Sequence, residues 1–264
     1  MLRVERITDT LPHSTGEVRK PLVIQLLLLI LVCWAWIIVM SRDMYGSMTG
    51  PSAWMMTLRW DAAHVVLLWA MWAAMMAAMM LPSASPMLLL YDGAAKRQTG
   101  DARANAERQV YALAAGYVAV WALFSIGAAA MQRILSMLLL VSPMMTLTSP
   151  VAAAAILIIA GAYQLTPLKH ACLRACQSPL GFMMGHWRPG LAGAFLMGTD
   201  HGIYCLGCCW ALMLLLFVGG VMNLAVIATL TIVVGFEKIS PFGVASARIG
   251  GVLLIGAAVW MLVR

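Results

Sequence analysis

Long apolar runs, separated by short polar or charged segments, make up most of the chain. Seven of these runs have about the length that an α-helix needs to cross a bilayer, roughly 18–20 residues. They cover residues 22–40, 61–81, 109–131, 150–166, 191–219, 221–236 and 247–263. The pattern predicts an all-α fold, a polytopic bundle of about seven transmembrane helices.

Prolines and charges mark the expected ends of these helices. Pro82 and Pro86 follow the second run, and two prolines so close together stop or kink a helix. The segment 92–108 is the most charged in the chain, so we expect a loop or a helix extension outside the membrane. The first run is too long for a signal peptide, and no small-residue cleavage site follows it. It is therefore expected to be an uncleaved helix.

The positive charges divide unevenly between the connecting segments. With the N-terminus in the cytoplasm, the segments on that side hold 13 Lys and Arg residues and those on the other side hold 4. Lys and Arg are enriched in cytoplasmic loops. This bias predicts a cytoplasmic tail over residues 1–20, followed by a single transmembrane domain over residues 21–264.

Composition supports a membrane protein and gives no sign of nucleic-acid binding. The chain is 63% hydrophobic and 10% charged, and its mean hydropathy is +0.90. A soluble domain of this composition would lack the polar residues to cover its surface. The net charge of +7 comes with no nucleic-acid-binding motif, so the lipid bilayer is the expected partner.

The fifth apolar run contains a group of ionisable side chains in the stretch from Asp200 to Trp210. Such groups are costly at membrane depth and usually serve a function there. His201, Cys205 and Cys208 are spaced i, i+4 and i+7, which places them on one helical face. Met197 extends this face by one turn, and Cys209 lies at its edge. Imidazole, thiolate and thioether groups are ligands of soft or borderline metals such as Cu(I) and Zn(II).

A straight helix cannot wrap one ion with all of these side chains, so ligands from another helix are expected. Asp200 is a candidate to orient His201 by a hydrogen bond, although neighbouring residues point apart on a helix. Tyr204, like Asp200, is predicted to support the metal ligands without binding the metal itself. The alternative is that the cysteines are small buried apolar residues, as is expected of Cys33.

Two further groups are candidate metal ligands. On the second run, Met71, Met75 and Met79 lie one turn apart, with His64 on the same face. A thioether ladder would suit Cu(I), but methionine also fills helix cores. The second group contains His170, Cys172 and Cys176, and it is predicted to exchange metal on the cytoplasmic side.

The last pair of charges, Glu237 and Lys238, lies at the inner end of the sixth run. We interpret this pair as an anchor at the membrane boundary rather than as a proton relay.

Over residues 55–262 the chain resembles a bacterial family of predicted metal-binding integral membrane proteins. Three motifs carry the resemblance: Met79-Met80-Leu81-Pro82, the stretch 162–169 followed by Cys172 and Cys176, and the stretch 201–210. The resemblance implies metal binding and a place in the inner membrane of a bacterium. It does not distinguish transport from enzymatic or chaperone activity.

These observations predict a protein that transfers, stores or delivers a soft metal, with copper favoured over zinc or haem. A metal-receiving membrane protein is the expected partner. The first alternative is a membrane oxidoreductase that uses cysteine thiols or a bound copper or haem. The second is a structural assembly subunit whose cysteines and methionines only pack.

Overall fold

The computed structural model describes residues 20–46, 61–98, 104–142 and 145–263, and these ranges contain ten helices. The predicted all-α class is confirmed. The helices are α1 Lys20–Met44, α2 Ala62–Ala95, α3 Ala106–Met137, α4 Pro150–Gln164, α5 Pro167–Gln177, α6 Pro179–His186, α7 Gly190–Met213, α8 Leu215–Gly219, α9 Leu224–Ile239 and α10 Gly243–Val263. A single antiparallel bridge joins Val141 and Leu147 between α3 and α4.

Five segments are long and apolar enough to cross a membrane: α1, α2, α3, α7 together with α8, and α10. The pair α4 and α5 would add a sixth, although it bends by 64° at its break. Helix α9 has only 16 residues. Seven spans and a cytoplasmic N-terminus therefore remain predictions, and residues 1–19 of the predicted tail lie outside the described residues.

Helix α2 does not end at Pro82, as the sequence predicted, but continues through both prolines to Ala95. Neighbouring hydroxyl groups bind the backbone carbonyls near the prolines. Ser83 Oγ donates to Met80 O at 2.9 Å, and Ser85 Oγ donates to Leu81 O at 2.8 Å. The prolines themselves remove the backbone donors to the carbonyls of Ala78 and Pro82, and neighbouring helices allow such prolines inside helices in apolar surroundings. The prolines are therefore internal to a helix of 34 residues.

Helices α3 and α7 approach each other so closely that glycine is required at the contact. A β-carbon added at Gly116 would lie 2.1 Å from the carbonyl oxygen of Phe195. One added at Gly198 would lie 2.0 Å from the carbonyl oxygen of Leu113. Small residues allow this approach between apolar helices. The contact places α7 in the interior of the bundle.

The bend between α4 and α5 follows from local sequence. Thr166 caps α5 by accepting a hydrogen bond from the Lys169 backbone N–H at 3.2 Å, and Pro167 occupies the first turn. Proline is favoured there because that position needs no N–H donor. The bend brings α5 against α7. Because α5 is helical, Cys172 and Cys176 lie one turn apart on it.

Candidate metal centre

Three cysteine thiols are buried together on α7. The side chains of Cys205, Cys208 and Cys209 are each about 1% exposed. The thiols of Cys208 and Cys209 both donate to the backbone carbonyl of Cys205, at 3.1 and 2.9 Å. Their spacing along the helix predicted that these residues would lie close together. In the structure their side chains point into the interior of the bundle.

Two other helices bring sulfur atoms to this group. The thioether sulfur of Met80 on α2 lies 3.9 Å from Cys209 Sγ. Cys176 on α5 packs against the buried core that contains Cys205, Cys208 and Cys209, and its thiol interacts electrostatically with that of Cys208. We call Met80, Cys176, Cys205, Cys208 and Cys209 the sulfur cluster. It joins α2, α5 and α7, as expected if ligands come from more than one helix.

Cys172 lies next to the sulfur cluster on α5. A β-carbon added at Gly207 would be 2.8 Å from Cys172 Sγ, so this thiol packs directly on the backbone of α7. Both cysteines of the predicted exchange point therefore face the helix that carries the other thiols.

Lys238 and Tyr117 contact Cys205, and neither was predicted to belong to the site. Lys238 Nζ donates to Cys205 Sγ at 2.9 Å and to Ser83 Oγ at 3.1 Å. The hydroxyl of Tyr117 on α3 shares a hydrogen bond of 3.0 Å with the same sulfur. Lys238 is only 6% exposed. Its interpretation as a boundary anchor was therefore wrong, because its ammonium group points into the sulfur cluster.

Glu237 points away from Lys238 and belongs to a separate polar network. Its carboxylate accepts from Lys169 Nζ at 2.6 Å and from Gln164 Nε2 at 2.8 Å. Glu237 and Lys169 are both almost completely buried. The interpretation of Glu237 as a boundary anchor was also wrong, because this residue forms a buried ion pair with α5. His170 is next to this network, and its Nε2 lies 3.0 Å from the carbonyl oxygen of Gln164.

His201 is buried one turn before Cys205, between aromatic rings. Its ring centroid is 5.6 Å from that of Tyr117 and 5.1 Å from that of Phe182. Its Nδ1 atom is buried and has no hydrogen-bond partner. A buried polar atom of this kind calls for an explanation, such as an ion or water in the loaded protein. His201 is therefore available as a ligand.

The two residues expected to support His201 have other neighbours. Asp200 is bound by Arg188, with 3.1 Å between Oδ2 and Nη2, so it does not orient the imidazole. The reason is that consecutive residues point about 100° apart on a helix. Tyr204 packs on Phe182, with ring centroids 5.6 Å apart, and Phe182 in turn packs on His201.

A cavity of about 150 Å³ adjoins the sulfur cluster. It lies beside the interior of α2, between the end of α5, the start of α6 and the end of α9, and is lined by Ser83, Pro86, Met87, Cys176, Gln177, Pro179, His201, Lys238 and Ile239. It therefore joins the imidazole, one thiol of α5 and the ammonium group in one space. This volume is large enough for a small ligand or several waters.

The remaining predicted ligands are not members of the sulfur cluster. Met71, Met75 and Met79 are buried in the same apolar core as the cysteines. His64 lies sixteen residues before Met80 on α2, which corresponds to about 24 Å along the helix. Met197 packs in a separate apolar cluster with Leu113. Cys33 is half-buried on α1 and packs against the core, as expected.

The chemistry of the sulfur cluster fits a soft metal. Thiolate and thioether ligands suit soft metals such as Cu(I), and thiolates also bind Zn(II) and iron–sulfur clusters. Within the described ranges, no group of three or more His, Cys, Asp and Glu side chains is arranged to hold a metal ion. A copper site here would therefore need small movements of the side chains or the thioether of Met80 as a further ligand.

Fold and site together define a helical-bundle protein, compatible with a membrane, that has a buried cluster of thiols and one thioether. A family model described as PpoB2, copper chaperone, matches residues 69–261. The chain belongs to this family. The family description agrees with the expected link to copper. No curated protein and no solved structure matches the chain.

Proposed function

We propose that this protein is a copper chaperone of the bacterial inner membrane. It would bind Cu(I) through Cys205, Cys208 and Cys209, with His201 as a further ligand, and deliver it to another membrane protein. The observation that carries this proposal is the convergence of four thiols and one thioether from three helices. Membership of the PpoB2 family supports the choice of copper.

The location in a membrane is part of the proposal. It is supported by the five or six apolar segments and by the bias of Lys and Arg towards one set of loops. In this arrangement α5, α6 and the end of α9 lie on the cytoplasmic side, and residues of all three line the cavity. The cavity beside the sulfur cluster would therefore open towards the cytoplasm.

Delivery requires that the metal can leave as well as bind. Cys176 and Cys172 on α5 would take the ion from the α7 thiols, since sulfur ligands on neighbouring helices can exchange a metal stepwise. His170 lies in the buried first turn of the same helix and would be a further ligand in this exchange. Met71, Met75 and Met79 would provide auxiliary thioethers along α2. His64 would lie at the outer end of the route, and Met197, one turn before His201 on α7, would lie towards its cytoplasmic end.

The test is a measurement of Cu(I) binding by the full-length protein in detergent, under anaerobic conditions, against a chromogenic Cu(I) chelator. Wild type should hold about one tightly bound Cu(I) per chain, because Cys205, Cys208 and Cys209 are gathered in one place. The Cys205→Ser/Cys208→Ser variant should lose it. Cys33→Ser is the matched control, since Cys33 lies on α1. Equal and negligible binding by all three proteins would refute the proposal.

A second candidate function is thiol oxidoreduction, and one contact favours it. A nearby ammonium group stabilises a thiolate, and Lys238 Nζ lies 2.9 Å from Cys205 Sγ. A thiol enzyme would keep its activity after treatment with a copper chelator. Trapping of free thiols with a maleimide in cells would then show a Cys205 that cycles between reduced and oxidised forms.

A further inference from the structure

Lys238 is a buried cation whose described contacts include no carboxylate. Its Nζ contacts Cys205 Sγ, Ser83 Oγ and, at 3.8 Å, the thioether sulfur of Met80. The adjacent carboxylate of Glu237 is bound to Lys169 instead. An ammonium group is costly in apolar surroundings unless an opposite charge compensates it. Thiolates of the sulfur cluster would supply this opposite charge.

The charge of a copper-loaded cluster matches this cation. When two of the three α7 cysteines bind Cu(I) as thiolates and the third keeps its proton, the loaded site carries a net charge of −1, and Lys238 brings the total to zero. A divalent ion held by the same two thiolates is already neutral, and with Lys238 the total becomes +1. Because uncompensated charge is unfavourable in a buried site, the lysine favours the monovalent ion.

We propose that Lys238 is the counter-cation that makes the sulfur cluster selective for a monovalent soft metal. This inference rests on the proposed function, because it assumes that the thiols bind the metal. Lys238 need not be a ligand itself. It also lines the adjoining cavity, so its flexible side chain has space to withdraw from Cys205 when the ion enters and remain close to it.

The experiment compares Cu(I) and Zn(II) affinities of full-length variants in detergent, each by competition with a chelator of known affinity. In Lys238→Gln the ratio of Cu(I) to Zn(II) affinity should fall by about tenfold or more, because the loaded copper site now carries a buried negative charge. Lys238→Arg keeps the positive charge and should restore the ratio to near the wild-type value.

The control is Lys169→Gln/Glu237→Gln, which removes a buried ammonium group together with its partner carboxylate, at a distance from the thiols. It should leave the affinity ratio unchanged. A purely structural role for Lys238 would lower both affinities together in Lys238→Gln, and this result would overturn the inference. An unchanged ratio in Lys238→Gln would overturn it as well.

These outcomes are distinct from a failure of the proposed function. If wild type binds neither ion, the copper proposal itself is wrong. If wild type binds Cu(I) and Lys238→Gln has the same selectivity, only the role of Lys238 is wrong.

Discussion

The hydroxyl group of Tyr117 lies 3.0 Å from Cys205 Sγ. The same hydroxyl donates to the backbone carbonyl of Met80 at 3.2 Å. One side chain on α3 therefore links the helix of the thiols to the helix of the thioether. A buried hydroxyl with two partners on different helices fixes their separation more closely than apolar packing does.

Removal of this hydroxyl in Tyr117→Phe should destabilise the metal-free protein by about 1 kcal/mol, the usual net value of a buried hydrogen bond. It should also weaken Cu(I) binding, because Cys205 and Met80 are no longer held together. Thermal unfolding in detergent and chelator competition measure the two effects. Tyr111→Phe is the control, since Tyr111 is half exposed and bonds to Gln25 on α1. Equal changes in both variants would contradict this role for Tyr117.

Substitution of Met80 with leucine removes the thioether sulfur and keeps most of the side-chain volume. Met80→Leu nearly conserves volume and should cost less than about 1.5 kcal/mol in stability. Because the sulfur atom is lost, Cu(I) affinity should fall by about tenfold, the equivalent of about 1.4 kcal/mol. Met40→Leu makes the same change at a buried position on α1. Unaltered copper affinity in Met80→Leu would show that this thioether is not a ligand.

The buried pair of Glu237 and Lys169 should matter for stability rather than for metal binding. Glu237→Gln leaves the Lys169 ammonium group without its counter-ion, which costs about 3–5 kcal/mol for a buried pair. The double variant Lys169→Gln/Glu237→Gln should recover most of this loss. Folded yield and unfolding in detergent provide the comparison. A single variant as stable as wild type would mean that water reaches this pair.

The contact between α3 and α7 can be tested with two glycines of the same helix. In Gly116→Ala the new β-carbon meets the carbonyl of Phe195, so the helices must separate and the folded yield should drop. In Gly127→Ala nothing lies within 4 Å of the new β-carbon. That variant should be neutral or slightly stabilising, because alanine is the better helix former by about 1 kcal/mol. Equal yields would argue against a close contact at Gly116.

Much of the fold and part of the candidate site follow from sequence periodicity. Hydrophobic runs predict the long helices because a helix in apolar surroundings must be apolar over its whole length. The spacing of Cys205, Cys208 and Cys209 places them together because neighbouring turns of one helix stack. The path of the chain through Pro82 was not predictable in this way, since it depends on local hydroxyl groups and on the neighbouring helices.

The contacts that complete the site could not be predicted because they join distant parts of the chain. Cys205 and Tyr117 are 88 residues apart, and Cys209 and Met80 are 129 apart. No local pattern records which helices become neighbours. Lys238 did give one usable signal, since a charge at the end of an apolar run often has a function. Because Glu237 is next to it in sequence, Lys238 was interpreted as one member of a charged pair. The two side chains point in different directions, as adjacent residues on a helix do, and have different partners.

The glycine contact between α3 and α7 also fixes how far one helix can slide along the other. A helix shifted by one residue also turns by about 100°, so Gly116 and Gly198 would no longer face the opposite backbone carbonyls. The close approach therefore favours the present register. Tyr117 directly follows Gly116, so its hydroxyl meets Cys205 only in that register. Gly116 and Gly198, which have no side chains, thus help to align the Tyr117 hydroxyl with the Cys205 thiol.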